Sequence, residues 1–149
     1  EMLTRVVNEH HVRTVIDLGA DPVGSEHDTA VAGTLAGLGV KRIRMDLSGD
    51  GTGNPNCYVR ALREMADPAN HPLLIQCGAG AQRTGVACAL YENIIRSVPL
   101  DAALDHAEQH RFSRTKDKPA MDYLAKWKDA IERAYRDGTE IEGFESMAK

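Results

Sequence analysis

The chain has 149 residues, enough for one domain with a real core, and its net charge of -4 with scattered Lys and Arg excludes a basic nucleic-acid-binding face. No apolar run approaches the roughly 18–20 residues that a bilayer-spanning helix needs, so no integral membrane association is expected. Cys57, Cys77 and Cys88 are odd in number and lack a paired spacing, which excludes a disulfide framework or zinc ribbon and fits a reducing, cytoplasmic location.

The chain starts at Glu1 rather than Met, so an upstream segment, with any targeting signal in it, is expected to precede it. Residues 3–10 read as the end of a helix, and the β-branched run over 12–18 reads as a buried strand broken by the turn at Gly19 to Gly24. Val31, Leu35 and Leu38 recur at helical spacing until Gly37 and Gly39 end that helix, and a second strand is expected at about 40–47. A polar, Gly-rich loop over 48–56 leads to a helix carrying Val59, Leu62 and Met65, which Pro68 stops before a third strand over 71–76.

Strands alternating with helices over connections this long imply a mainly parallel sheet flanked by helices, a single α/β domain spanning 1–149. Beyond Thr84 the pattern is helical throughout, with stripes at Val86, Leu90 and Ile94, at Leu100 and Leu104, and at Leu124, Trp127, Ile131 and Tyr135. The acidic segment 137–149 is expected to be a loosely held tail. His106 and His110 have helical i, i+4 spacing, but Ala107 stands where a zinc protease carries its general-base Glu, so no metal is expected.

The chemistry concentrates in Gln76-Cys77-Gly78-Ala79-Gly80-Ala81-Gln82-Arg83-Thr84-Gly85, between the third strand and the next helix. A loop at the carboxyl end of a strand that closes onto a helix N-terminus aims backbone N–H groups and the positive end of the helix dipole at one point. Small residues at Gly78, Ala79, Gly80 and Ala81 let that backbone, with Gln82, curl around a tetrahedral anion. Cys77 lies in the same positive field, which favours thiolate over thiol and makes it a nucleophile. Arg83 can offer two parallel N–H bonds to phosphate oxygens, and the hydroxyl of Thr84 can donate to the Cys77 sulfur as it leaves.

A Cys, five residues, an Arg, then Thr and Gly resemble the signature of the cysteine-based protein tyrosine and dual-specificity phosphatases. The resemblance is strong at the loop and more diffuse over 12–135, and it is similar above all to the small atypical dual-specificity members. It implies a phosphatase without cofactor that hydrolyses phosphomonoesters, with phosphoproteins or small phosphate esters as substrates, in two steps through phosphocysteine. It also implies a general acid, an Asp roughly thirty residues before Cys77. Asp46 and Asp50 both qualify, and the position of Asp50 between Gly49 and Gly51 on a loop over the sheet edge favours it.

The family usually has His before its Cys, and this chain has Gln76, which can hydrogen-bond but cannot carry charge. A catalytically weak or inactive phosphate-binding module is therefore the first alternative, and a phosphatase acting on a non-protein ester is another. The loop interior has no Lys or Arg before Arg83, which disfavours a highly charged inositol head group. A rhodanese-type loop would be one residue shorter, and no Gly-Lys-Ser or Gly-Lys-Thr marks a nucleotide-binding loop.

Overall fold

Val15 and Ile16 lie at the centre of strand β1 (Thr14–Asp17), all four residues of which are buried. In the computed structural model, which describes residues 1–78 and 81–148, β1 is flanked in parallel by β2 (Lys41–Arg44) and β3 (Leu73–Gln76). Among the described residues the strand order is β2-β1-β3, and Ile16 aligns with Ile43 on one side and Ile75 on the other. The central strand takes the β-branched pair, while the flanking strands carry charged or polar residues such as Arg42, Arg44 and Gln76.

Alternation along β1 sends Val15 to one face of the sheet and Ile16 to the other. Val15 packs with Val7 of α1 (Met2–His10) and Leu35 of α2 (Glu26–Gly37), a small core that also takes in Val12 and Val40. Ile16 joins a larger core with Tyr58 and Leu62 of α3 (Pro55–Ala66), Leu90 of α4 (Gln82–Leu90), Leu104 of α5 (Leu100–Glu108) and Ile131 of α6 (Lys118–Asp137). Each fully buried aliphatic side chain there contributes about 1.5–3 kcal/mol.

α2 begins at Glu26, a full turn before its first apolar residue, because Ser25 caps it: the Ser25 Oγ accepts the Asp28 N–H at 3.2 Å. α3 starts with Pro55 directly after Asn54, whose side chain accepts the Asn56 N–H at 2.9 Å. The segment after Asp137 is hydrogen-bonded to the start of α3. Asn56 accepts the Ile141 N–H at 2.7 Å and donates to the Ile141 and Glu145 carbonyls at 3.1 and 3.2 Å, and Phe144 meets Trp127 edge-on.

Moving from β1 to β2 through α2 and back across to β3 through α3 reverses direction, so right-handed crossovers put the two helices on opposite faces. The loops leaving the adjacent strands β1 and β3 therefore depart to opposite sides of the sheet. A crevice opens between them at the carboxyl edge, where open parallel sheets place their ligands. Among the described residues no helix is long and apolar enough to cross a membrane.

Candidate active site

Cys77 and Gly78 follow directly on β3, and α4 begins at Gln82. Ala79 and Gly80, two of the residues expected to line a phosphate, lie outside the described residues. Thr84, in the first turn of α4, points its hydroxyl back across the loop and donates to the Cys77 Sγ at 3.0 Å. Ala81 is buried and its carbonyl accepts the Gly85 N–H at 2.7 Å, tightening the turn into the helix. Gly85 is required by packing, since a Cβ there would stand 2.8 Å from the Phe112 ring. The Gln82 side chain donates to Asp117 Oδ1 at 2.9 Å, while Asp117 Oδ2 accepts the Ser113 N–H at 2.8 Å, which pins the loop to the α5–α6 connection.

Arg83 folds over the crevice. Its Nη1 donates to the Gly19 carbonyl and, at 3.4 Å, to the Leu47 carbonyl, and its Nη2 would lie 3.1 Å from a Cβ at Gly78. Nε is buried without a hydrogen-bond partner among the described residues. The anchored nitrogen thus leaves the Nε–Nη2 edge, the one suited to a two-pronged grip on an oxyanion, toward the loop. Gly19 accepts Arg83 with φ +93, and a side chain there would press within 3.0 Å of the Met45 carbonyl, so only glycine suits the place.

That turn is held from beneath by Asp17, whose Oδ1 accepts the Gly19 and Ala20 N–H groups at 3.0 Å each and whose Oδ2 accepts Arg42 at 2.7 Å. Burial alone would raise the Asp17 carboxyl, but the Ala20 N–H, Arg42 and the Gly19 N–H together hold it below the usual carboxylate range. Asp28 then bridges Arg42 at 2.6 Å and Arg44 at 2.9 Å, and Arg44 reaches Asp46 at 2.7 Å. None of this network was expected from sequence. Its members are up to 29 positions apart, and only the Asp17-Leu18-Gly19 turn carries a local cue.

Both candidate acids are exposed. Asp46 follows β2 and is ion-paired with Arg44. Asp50 accepts the Thr52 hydroxyl at 2.6 Å and the Thr52 N–H at 3.1 Å, bonds that lower its carboxyl below the ordinary value. Its neighbour Gly51 is buried with φ +90, and a Cβ there would stand 3.2 Å from Val86 and 3.3 Å from the Gln82 carbonyl, which places the Asp50 loop against the start of α4. Cys57 and Cys88 are pushed up to about 11 by burial, so neither offers a thiolate at neutral pH. His106 hydrogen-bonds Glu92 at 2.6 Å, and no group of three metal-ligating side chains occurs among the described residues.

No family model matches the chain. Mouse receptor-type tyrosine-protein phosphatase alpha is 36% identical over 56 residues, which are 38% of this chain and 7% of that protein. Three solved structures superimpose over nearly the whole chain. A Cys-to-Ser variant of P. aeruginosa TpbA in complex with phosphotyrosine has a TM-score of 0.71 at 18% identity, covering 92% of this chain and 81% of that one. The core catalytic domain of the PP-IP phosphatase SIW14 from S. cerevisiae has a TM-score of 0.66 at 17% identity, covering 91% and 80%. PTPMT1 in complex with PI(5)P has a TM-score of 0.63 at 17% identity, covering 89% and 86%. A three-stranded parallel sheet with six α-helices among the described residues, a Cys loop at its carboxyl edge and these likenesses together give the chain the fold of the cysteine-based tyrosine and dual-specificity phosphatases.

Proposed function

We propose that the chain is a cysteine-dependent phosphatase acting on phosphomonoesters. The observation that carries the reading is the meeting of Cys77 Sγ, the Thr84 hydroxyl and the free edge of Arg83 around one loop at the crevice. The Cys77 thiolate attacks phosphorus, the P–O bond to the alcohol or phenol breaks, and a carboxylic acid gives its proton to the departing oxygen. Arg83 and the loop N–H groups hold the equatorial oxygens while charge redistributes. In the second step the same carboxylate takes a proton from water, the water oxygen bonds phosphorus, and the P–S bond breaks. The Thr84 hydroxyl supports the returning thiolate, and inorganic phosphate departs.

Asp50 is assigned as the acid. Asp46 is ion-paired with Arg44 in the network that shapes the Gly19 turn, whereas Asp50 stands beside Gly51 on the loop set against the start of α4. Phosphotyrosine in proteins is the default substrate, and the similar structures include complexes with phosphotyrosine and with PI(5)P and a PP-IP phosphatase. Gln76 in place of the usual His supports a second reading, a loop that binds phosphate with little turnover. Hydrolysis of 4-nitrophenyl phosphate by the wild type but not by Cys77→Ser, with a phosphocysteine adduct seen by intact-protein mass spectrometry, separates the two. Activity that survives Cys77→Ser sinks the assignment.

A further inference from the structure

A groove of about 660 Å³ runs from Cys77 and Gly78 along Leu74 and out between α1 and α2. Its size is within the range of roughly 300–1,000 Å³ that takes a small organic ligand. The sheet explains why it is there. Leu74 and Gln76 lie on the face of β3 that α1 and α2 cover, two residues apart, so both point into the gap on that side. The gap is walled by Leu3 and Val6 of α1 and by Val31 and Thr34 of α2.

Charge sets what can lie in it. No Lys or Arg lines the groove among the described residues; besides Cys77 its ionisable side chains are Glu1, Asp21 and His27, and Asp21 already holds His27 at 2.6 Å. A second phosphate on a ligand seated at Cys77 would meet carboxylates, whereas an apolar group would meet Leu3, Val6, Val31 and Leu74. From Leu74 to Cys77 the strand advances about 10 Å, the reach of a medium-length chain or a pair of rings.

We infer that this groove receives the apolar arm of an amphiphilic monophosphate ester, whose single phosphate lies in the Cys77 loop. The inference rests on the phosphatase reading for the placement of the phosphate, but the groove is testable by binding alone. The probes are N-acetyl-O-phosphotyrosine and N-octanoyl-O-phosphotyrosine, which share one leaving group and one charge and differ only in the length of the arm. On Cys77→Ser protein, calorimetry is expected to give the octanoyl compound at least tenfold tighter binding.

In the Val31→Asp background that ratio is expected to fall to about one. Thr34→Trp, which fills the groove from a half-buried helix position without opening the small core, is expected to do the same. Equal affinities in the parent protein, a ratio indifferent to both variants, or tighter binding of inositol hexakisphosphate than of the octanoyl compound overturns the inference. Turnover of both probes without an arm preference removes the groove and leaves the phosphatase reading standing. An arm preference without Cys77-dependent turnover does the reverse.

Discussion

Tyr58→Phe tests whether the loop carrying Asp50 is positioned from the core. Tyr58 is fully buried, and its hydroxyl donates to the Gly51 carbonyl at 2.5 Å. Burial pushes that hydroxyl well above its ordinary pKa, so it remains a donor at every working pH. Its ring lies 5.7 Å from that of Tyr123, whose hydroxyl holds the Gly53 carbonyl at 2.9 Å, so two tyrosines grip the loop on both sides of Thr52. The substitution deletes one oxygen, keeps the ring packing, and leaves the carbonyl of buried Gly51 without that donor. Such a loss costs about 1–3 kcal/mol, or roughly 3–9 °C in Tm for a chain of this size. Unfolding in urea measures the cost, and a leaving-group series measures the consequence. Phenyl phosphate turnover, which needs the proton, is expected to fall about tenfold, a part of the 10²–10⁴ that acid catalysis supplies. Turnover of 2,4-dinitrophenyl phosphate is expected to stay within about twofold, since that phenolate leaves without protonation. A stability change under about 0.5 kcal/mol would refute the hydrogen-bond argument, and equal slowing of both esters would refute the placement of the acid on this loop.

Asp50→Asn should slow phenyl phosphate hydrolysis and flatten the high-pH limb of the rate profile; if Asp46→Asn does this instead, the role passes to Asp46. Arg83→Lys is expected to lower kcat/KM by roughly 10²–10³, because a point charge cannot keep both the carbonyl anchor and the two-pronged edge; near wild-type rates would rule out the clamp. Gly85→Ala drives a methyl into the Phe112 ring and should cost about 1–3 kcal/mol in thermal unfolding, and an unchanged Tm would show that Phe112 can withdraw freely. Asp17 has a depressed carboxyl, so the stability it contributes is fully present above its unfolded value of 3.8 and is lost as pH falls through the lower folded value. Denaturant midpoints should therefore drop more steeply below about pH 4 in the wild type than in Asp17→Asn, and parallel curves would contradict the shift.

What the sequence could reveal was local. Val15 and Ile16 are β-branched, so the central strand was legible, and the Cys-to-Gly run declared itself by lying between that kind of strand and a helix. The start of α2 is hard to read from periodicity because its first turn has no apolar residue and is defined by the Ser25 cap. The anchor of Arg83 was out of reach because Gly19 and Leu47 belong to loops that only the sheet brings together. Gln82 and Asp117 are 35 positions apart and give no periodic signal. Composition gives no sign of the hydrogen bonds that the tail makes. The decisive groups were two buried or half-buried asparagines in α3 and its cap that take the tail's backbone in hand.

The charges around the crevice explain why one arginine is suited to an anion and its neighbours are not. Arg42 is spent on Asp17 and Asp28, and Arg44 on Asp28 and Asp46, so their charge is balanced by carboxylates within 3 Å. Asp17 in turn faces two backbone N–H groups and a guanidinium, so its charge is directed into the sheet edge rather than at a ligand. Arg83 is held by carbonyl oxygens, and no carboxylate pairs with it among the described residues. A carbonyl orients a guanidinium without cancelling its charge, whereas a carboxylate does both. The same fold therefore uses ion pairs to shape the turn that carries Gly19 and neutral acceptors to aim the residue that turn supports. An anion arriving at the loop meets a cation already in place and still charged, so little of the binding free energy goes to reorganising the side chain.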